Sequence, residues 1–382
     1  MKRKIAVLAS SRATYGYKQK IISLIQRSSK LELQLVVTGM HLLKEYGSSI
    51  NEIERDGHVP VAKVEMMVGG DTPTAWAKSI GVEILSLAQV FGTLKPDILL
   101  LTGDRAEMLG AAVCAAYMNI PIAHIQAGDV SGHIDGSVRH AITKLSHIHF
   151  ASCEDSAKRV ERMGEESWRI FNVGAPQLDS IVHDQKLSRQ DLSAKLGLKL
   201  EDPLVLVIQH PVLSEIGQAY KQMKETLEAV AELKAQTIVV YPNVDAGGLE
   251  IVRAVREYEK HPFINSYRNL ERNIFISLLK EADVIVGNSS CGILEAPSFR
   301  LPAVNIGNRQ LGRMQASNVL NTAYDRKAIL SAIRKALFDK DFKGRLKRCI
   351  NPYGDGRSSE RIVKLLEETD INARLLNKEI TY

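Results

Sequence analysis

Short apolar runs alternate with longer stretches of helical spacing along nearly the whole chain. KIAVLAS, LQLVVTG, DILLLTGD, IPIAHIQAG and HIHFAS are rich in Val, Ile and Leu and end in small or polar residues. That is the pattern of strands buried on both faces. Between them, YKQKIISLIQR, SIGVEILSLAQVFGTL and AEMLGAAVCAAYM carry the spacing of amphipathic helices. Strand, helix, strand in repetition predicts parallel strands with helical crossovers, a doubly wound α/β domain. After Val173, GAPQLDSIVHDQKLSRQDLSAKLGL reads as a connector and a helix pair, and the alternation then restarts. PLVLVIQH, QTIVVYP, DVIVGNSS and LPAVNIG are strands, with helices such as EIGQAYKQMKETLEAVAELKA between them. The pattern predicts two Rossmann-like domains meeting near residues 172–178: an N-terminal one over 1–174 and a second over 175–355. A C-terminal helix within 356–382, carried by SSERIVKLLEET, is expected to pack back on the first.

In open parallel sheets, ligands bind outside the carboxyl ends of the strands. Polar residues collect at those ends here. Ser10, Ser11 and Arg12 follow the first strand, and Thr38, Gly39 and His41 the second. Gly103, Asp104 and Arg105 follow DILLLT, and HIQAGDVSGHIDGSVRH, residues 124–140, closes the next. In the second half the same place is taken by Gln209-His210-Pro211, Pro242-Asn243 and Gly287-Asn288-Ser289-Ser290. Two such domains facing each other would enclose a cleft, with residues 124–140 lining one wall.

Composition narrows what that cleft could hold. A chain of 382 residues exceeds one hydrophobic core, and 45% hydrophobic with 25% charged residues is ordinary for a globular protein. The net charge of +6 is scattered, with no dense Lys/Arg block and no interleaved aromatics. This argues against a nucleic-acid partner and for a concave site taking a small anion. Four cysteines lie far apart with no C-x-x-C pair, which suits a reducing cytoplasm and neither zinc nor a disulfide framework. The apolar part of MKRKIAVLASSR is too short for a signal peptide, and no run approaches the ~20 residues of a membrane span. The expectation is a cytoplasmic protein with no membrane partner.

Several groups could carry chemistry. GNSSCGILEA predicts a helix start whose N–H groups and serine hydroxyls, from Ser289 and Ser290, favour a phosphate. A plain N-cap is the other reading of those residues. Arg309, in NIGNRQ, could pair with a diphosphate. G-x-G-x-x-G and G-x-x-x-x-G-K-[ST] are both absent, so neither a nicotinamide dinucleotide nor a P-loop site is expected. Pro211 bars continuation of a central strand and puts His210 at its end; His41, after TGM, is placed alike. Asp129, Asp135 and Arg139 lie on a glycine-punctuated loop and the first turns of SVRHAITKLSHI. A metal held by His133 and Asp135 would lack a third ligand at a usual offset. Carboxylates crowded near histidines suit removal and return of a proton, because desolvation raises a carboxyl pKa. Asp104 is a further base candidate, with a helix cap as the alternative, and His147 and His149 read as structural.

Taken in order, SSRATYG, VTGMHL, PDILLLTGDRAE, HIQAGDVSGHIDGSVRHAITKLSH, IQHPV, YPNVDAG, GNSSCGILE and NIGNRQLGR span most of the chain. Together they resemble the hydrolysing UDP-N-acetylglucosamine 2-epimerases, a family that includes bacterial sialic-acid enzymes and the epimerase half of the bifunctional animal enzyme. The resemblance implies a glycosyltransferase-B-like architecture with UDP held largely by the second domain. It implies conversion of UDP-N-acetylglucosamine and water to N-acetylmannosamine and UDP, a first step of sialic acid synthesis. By motif, Asp104, Asp135, Arg139, His41 and His210 would form the catalytic set. Arg12 and Arg105 would lie near the diphosphate or sugar, and Gln126 beside the substrate. His210, Asn243, Ser289, Ser290, Glu295 and Arg309 would hold UDP, with Glu295 on the ribose hydroxyls. No cofactor or metal is implied, since elimination and rehydration invert C2 without hydride transfer. Relatives assemble into homodimers or homotetramers, which the resemblance carries over as an expectation.

Departures sharpen the reading. Several relatives have Glu where this chain has Gln126 and a second acid at Gly136, which moves the base role to Asp104 or Asp135. Leu249 stands where some members have lysine. Non-hydrolysing cousins carry H-x-E-A-G-L-R and a P-E-E segment, which favours the hydrolysing branch here. The same chemistry on a UDP-2,4-diacetamido-2,4,6-trideoxy sugar remains an open alternative, as do non-hydrolysing epimerisation and glycosyl transfer.

Overall fold

β1 (Arg3–Ala9), β2 (Leu31–Thr38), β3 (Ala62–Val64), β4 (Ile98–Thr102), β5 (Ile122–Ile125), β6 (Ile148–Ala151) and β7 (Ile170–Asn172) form one parallel sheet. Its order is β3-β2-β1-β4-β5-β6-β7. The second sheet, also parallel, comprises β8 (Leu204–Ile208), β9 (Gln236–Val240), β10 (Ile264–Tyr267), β11 (Val284–Gly287), β12 (Ala303–Ile306) and β13 (Val319–Thr322). Its order is β10-β9-β8-β11-β12-β13. This computed structural model describes residues 1–43, 49–69, 72–130, 134–199, 203–242, 247–268 and 270–382, excepting the side chains of Arg12, Ala13, Pro73, Ile134, Asp135 and Leu213.

The chain divides into two units, Met1–Ser180 with Tyr353–Tyr382, and Ile181–Pro352. In the first, alternate residues of β1 feed two cores: Ile5, Val7 and Ala9 on one face, Ala6 and Leu8 on the other. The first core takes in Ile21, Ile22 and Ile25 of the helix Arg12–Arg27, and also Ile362, Val363 and Leu366 of the helix Ser358–Glu368. Asp179 starts that last helix by accepting the Ser358 and Ser359 amides at 2.9 and 2.6 Å. Further on, Arg169 donates to the carbonyls of Leu375 and Arg374, both at 2.7 Å. Lys378 pairs with buried Glu165 at 2.7 Å. The C-terminal residues thus belong to the first unit's hydrogen-bond network.

β8 divides in the same way, Val205 and Val207 to one core of the second unit and Leu204, Leu206 and Ile208 to the other. Strands buried on both faces need continuous apolar runs, and these runs are the ones legible in the sequence. Among the described residues, no helix is long and apolar enough to cross a membrane.

Candidate active site

In the first unit the strand order reverses between β1 and β4, the place where open α/β sheets receive ligands. Asp104 follows β4 and is ion-paired with Arg139, from the helix Ile134–Leu145. Arg139 also donates to the Gln126 carbonyl at 3.2 Å. Gln126 directly follows β5 at φ +65°, a left-handed backbone that costs a non-glycine residue about 1 kcal/mol. Beneath them lies His124, fully buried, its Nε2 2.8 Å from the Gly103 carbonyl and its Nδ1 3.1 Å from Thr143 Oγ1. Thr143 in turn donates to the Arg139 carbonyl at 3.0 Å. Burial pushes the His124 imidazole down to about 3, so this residue stays neutral and supports the Asp104–Arg139 pair from below. His147 and His149 are structural as well: one accepts the Ile122 amide at 3.1 Å, and the other meets Glu165 at 2.9 Å.

Behind this layer lies buried charge that the helical pattern concealed. Glu107 grips Arg105 through Nε and Nη2, the latter at 2.8 Å. Lys18 is fully buried, donating to the Leu8 carbonyl; burial pushes its ammonium down to about 7, against the pull of Glu107. His41 lies in the turn after β2, buried, with Nδ1 2.8 Å from Ser49 Oγ and its ring edge-on to Tyr15. Arg12 opens the helix capped by Ser11, and Asp135 is in the first turn of its helix; both side chains are outside the described ones. Asn243 and His133 lie outside the described residues.

In the second unit the order reverses between β8 and β11. His210 lies just past β8, buried, its imidazole pushed down to about 4 by burial and then by Arg309. Arg309, beyond β12, donates to the Asn288 carbonyl at 3.2 Å. Ser289 and Ser290 follow β11, with Ser289 Oγ 3.1 Å from the Cys291 thiol. The helix expected here is a single turn, Cys291–Leu294, and Glu295 caps its end before a 3-10 turn over Ala296–Phe299. Pro297 disfavours helical backbone at Ala296 and donates no hydrogen bond. A phosphate here would therefore meet a few local N–H groups and hydroxyls, without the dipole of a long helix. Glu295 Oε2 is buried and has no hydrogen-bond partner among the described residues. Desolvation pushes the Glu295 carboxyl up to about 7, opposed by Arg313 and Arg272.

The structure thus brings Asp104, Arg139 and Gln126 together at one sheet's switch point, and His210, Ser289, Ser290 and Arg309 at the other's. Among the described residues no three metal-binding side chains gather. Sequence reasoning passed over Lys18, Glu107 and Gln310, and named Asn288 only as one of the polar residues at the strand end, without a role.

Two parallel sheets with polar switch points define a two-unit α/β protein of glycosyltransferase-B-like fold. Comparison with known proteins narrows that class. The family model described as UDP-N-acetylglucosamine 2-epimerase matches residues 23–367, and the chain belongs to this family. It is 39% identical to a hydrolysing UDP-N,N'-diacetylbacillosamine 2-epimerase of Legionella pneumophila, over 99% of both chains. It is 32% identical to a UDP-N-acetylglucosamine 2-epimerase of Neisseria meningitidis, over 87% of both. In fold it is similar to the crystal structure of a UDP-GlcNAc 2-epimerase from Neisseria meningitidis bound to UDP-GlcNAc, with TM-score 0.79, 17% identity, and coverage of 96% of this chain and 100% of that one.

Proposed function

We propose that this UDP-sugar 2-epimerase is hydrolysing and acts on UDP-N,N'-diacetylbacillosamine, the 2,4-diacetamido-2,4,6-trideoxy sugar, releasing UDP and the free manno isomer. The observation that carries the substrate is the 39% identity, sustained over 99% of both chains, to a relative of that activity. UDP-N-acetylglucosamine is the second reading, favoured by the family description and by the 32% identical relative. The sialic-acid route goes with that second reading.

The chemistry follows from the groups at the two switch points. A carboxylate takes the C2 proton as the C1–O bond to UDP breaks, leaving a 2-acetamidoglycal. Water then adds at C1 and a proton returns to C2 on the opposite face, which inverts that carbon. The C2 proton is weakly acidic, so its base must be aligned and the leaving charge stabilised. Asp104, aimed by Arg139, takes one of the two C2 proton roles and Asp135 the other. Arg309, the Ser289 and Ser290 hydroxyls and His210 receive the diphosphate. His210 meets it as a neutral donor, and the phosphate charge raises its pKa once bound. Glu295, with an acceptor oxygen to fill, takes the ribose hydroxyls. Gln126 and His41 serve the sugar; the resemblance assigns Arg12 and Arg105 to the diphosphate or sugar and Asn243 to UDP.

The test is turnover of both UDP-sugars side by side, with free UDP and free sugar measured. A kcat/KM at least tenfold higher for the diacetamido substrate is expected. Preference for UDP-N-acetylglucosamine would move the assignment to the second reading. Accumulation of a UDP-linked epimer, with no free sugar, would overturn hydrolysis.

A further inference from the structure

Resting on the reading of this site as a UDP-sugar site, we infer that Asn288 is a positioning residue. Its side-chain amide stands in for a backbone peptide and locks His210 at the β8/β11 switch point. The parallel ladder between these strands ends at the Ile208–Gly287 pair. Gly287 then turns away at φ +132°, and a Cβ there would lie 2.1 Å from the Ile208 carbonyl oxygen, so only glycine lets the two strand ends approach this closely. Past that point the Asn288 amide N–H still donates to the Ile208 carbonyl at 3.2 Å.

The side chain then continues the ladder where the main chain cannot. Asn288 Oδ1 accepts the His210 amide at 2.7 Å, and Nδ2 donates to the His210 carbonyl at 2.8 Å. One acceptor and one donor, spaced as in a peptide, satisfy both backbone groups of a residue that Pro211 follows. Aspartate offers no donor, glutamine is a methylene too long, and serine does not reach both groups. The Asn288 carbonyl in turn accepts Gln310 Nε2 at 2.8 Å and Arg309 Nη1 at 3.2 Å. One fully buried residue therefore ties together the segments bearing His210, Ser289 and Arg309. Its amide is engaged with His210's backbone, so it acts through its neighbours rather than on substrate.

Asn288→Ala and Asn288→Asp test this, with Ser277→Ala as a control that deletes a buried hydrogen bond elsewhere in the same unit, to the Leu187 amide at 2.8 Å. The readouts are kcat and KM well below each melting temperature, UDP affinity, and exchange protection of the His210 amide. Asn288→Ala should lose that protection. Asn288→Asp should keep it through its remaining acceptor oxygen while losing the donor to the His210 carbonyl. Both should drop kcat/KM by about 10²-fold, the scale of an ångström misplacement at a reacting centre. UDP affinity should weaken with them, while Ser277→Ala keeps both constants despite a comparable loss of melting temperature. Retained His210 protection in Asn288→Ala overturns the lock. Wild-type kcat and KM in an unprotected variant, or activity that falls only in step with melting temperature as in the control, overturns the positioning role. Wild-type protein that binds no UDP overturns the functional reading instead, and the exchange measurement still judges the lock.

Discussion

The two switch points use polar groups in opposite ways. At the carboxyl end of β4 the charges answer one another: Asp104 with Arg139, Arg105 with Glu107, and a neutral buried His124 beneath. Beyond β11, Glu295 keeps a buried oxygen without a hydrogen-bond partner among the described residues, and His210 is held neutral beside Arg309. A satisfied ion pair holds geometry, which suits a group that must meet one carbon at one angle. An unsatisfied buried carboxyl stores a desolvation cost that a ligand relieves, which suits binding. On the function proposed above, the difference teaches that one sheet end serves the chemistry and the other the capture of UDP.

Substitutions can break or sharpen that contrast, beginning with the largest effect. Asp104→Asn should cut kcat by 10²–10⁴-fold, the worth of a positioned acid–base group, while UDP affinity measured by calorimetry changes little. Loss of UDP binding instead would erase the division of labour.

The next effect concerns the stability of the first unit. Glu83 is fully buried, both its oxygens lack hydrogen-bond partners among the described residues, and desolvation with Glu107 nearby pushes it up to about 9. Its folded pKa lies above the unfolded value, so the fold holds a proton that the unfolded chain releases. Stability therefore falls as pH rises from about 4.5 towards 9, by about 3 kcal/mol at pH 7. Glu83→Gln should flatten the stability–pH curve from denaturant melts over that window. An unchanged slope would show that Glu83 is solvated.

At the binding end, ribose hydroxyls donating to Glu295 would favour its charged form and lower its pKa from about 7. UDP affinity should thus be highest above pH 7 and weaken below it, by up to about tenfold per unit. Glu295→Gln should weaken UDP by about tenfold at pH 8, the worth of a charge-assisted hydrogen bond, and flatten the dependence. A Glu295→Gln variant with the wild-type pH curve would remove the ribose assignment. Ser290→Ala should have the smallest effect, about three- to tenfold on UDP affinity with kcat nearly kept.

What the sequence revealed follows the same physics. Runs buried on both faces, such as IAVLA and LVLVI, announced the inner strands because every position had to be apolar. The edge strands β3, β7, β10 and β13 did not stand out, since AKV, IFN, INSY and VLNT are short and partly exposed. The polar strand ends were visible as residues, but their connections were not. Lys18 sits in an ordinary amphipathic helix pattern, and nothing local tells that it is buried under β1. Asn288 was visible as a polar strand-end residue but its role was not: the GNSS stretch directed attention to its serines, whereas the amide–peptide lock depends on a partner 78 residues away. The helix read from GNSSCGILEA is a single turn because Pro297 follows so closely, a position the reading of that stretch did not weigh.

The central claim is that a carboxylate at the first sheet's end removes the C2 proton as UDP departs. Proton NMR in heavy water, with UDP-N,N'-diacetylbacillosamine and UDP-N-acetylglucosamine as substrates, tests this most directly. The account requires free UDP, a free manno sugar and one deuteron at C2 of the product. Release of UDP with protium retained at C2 would contradict it.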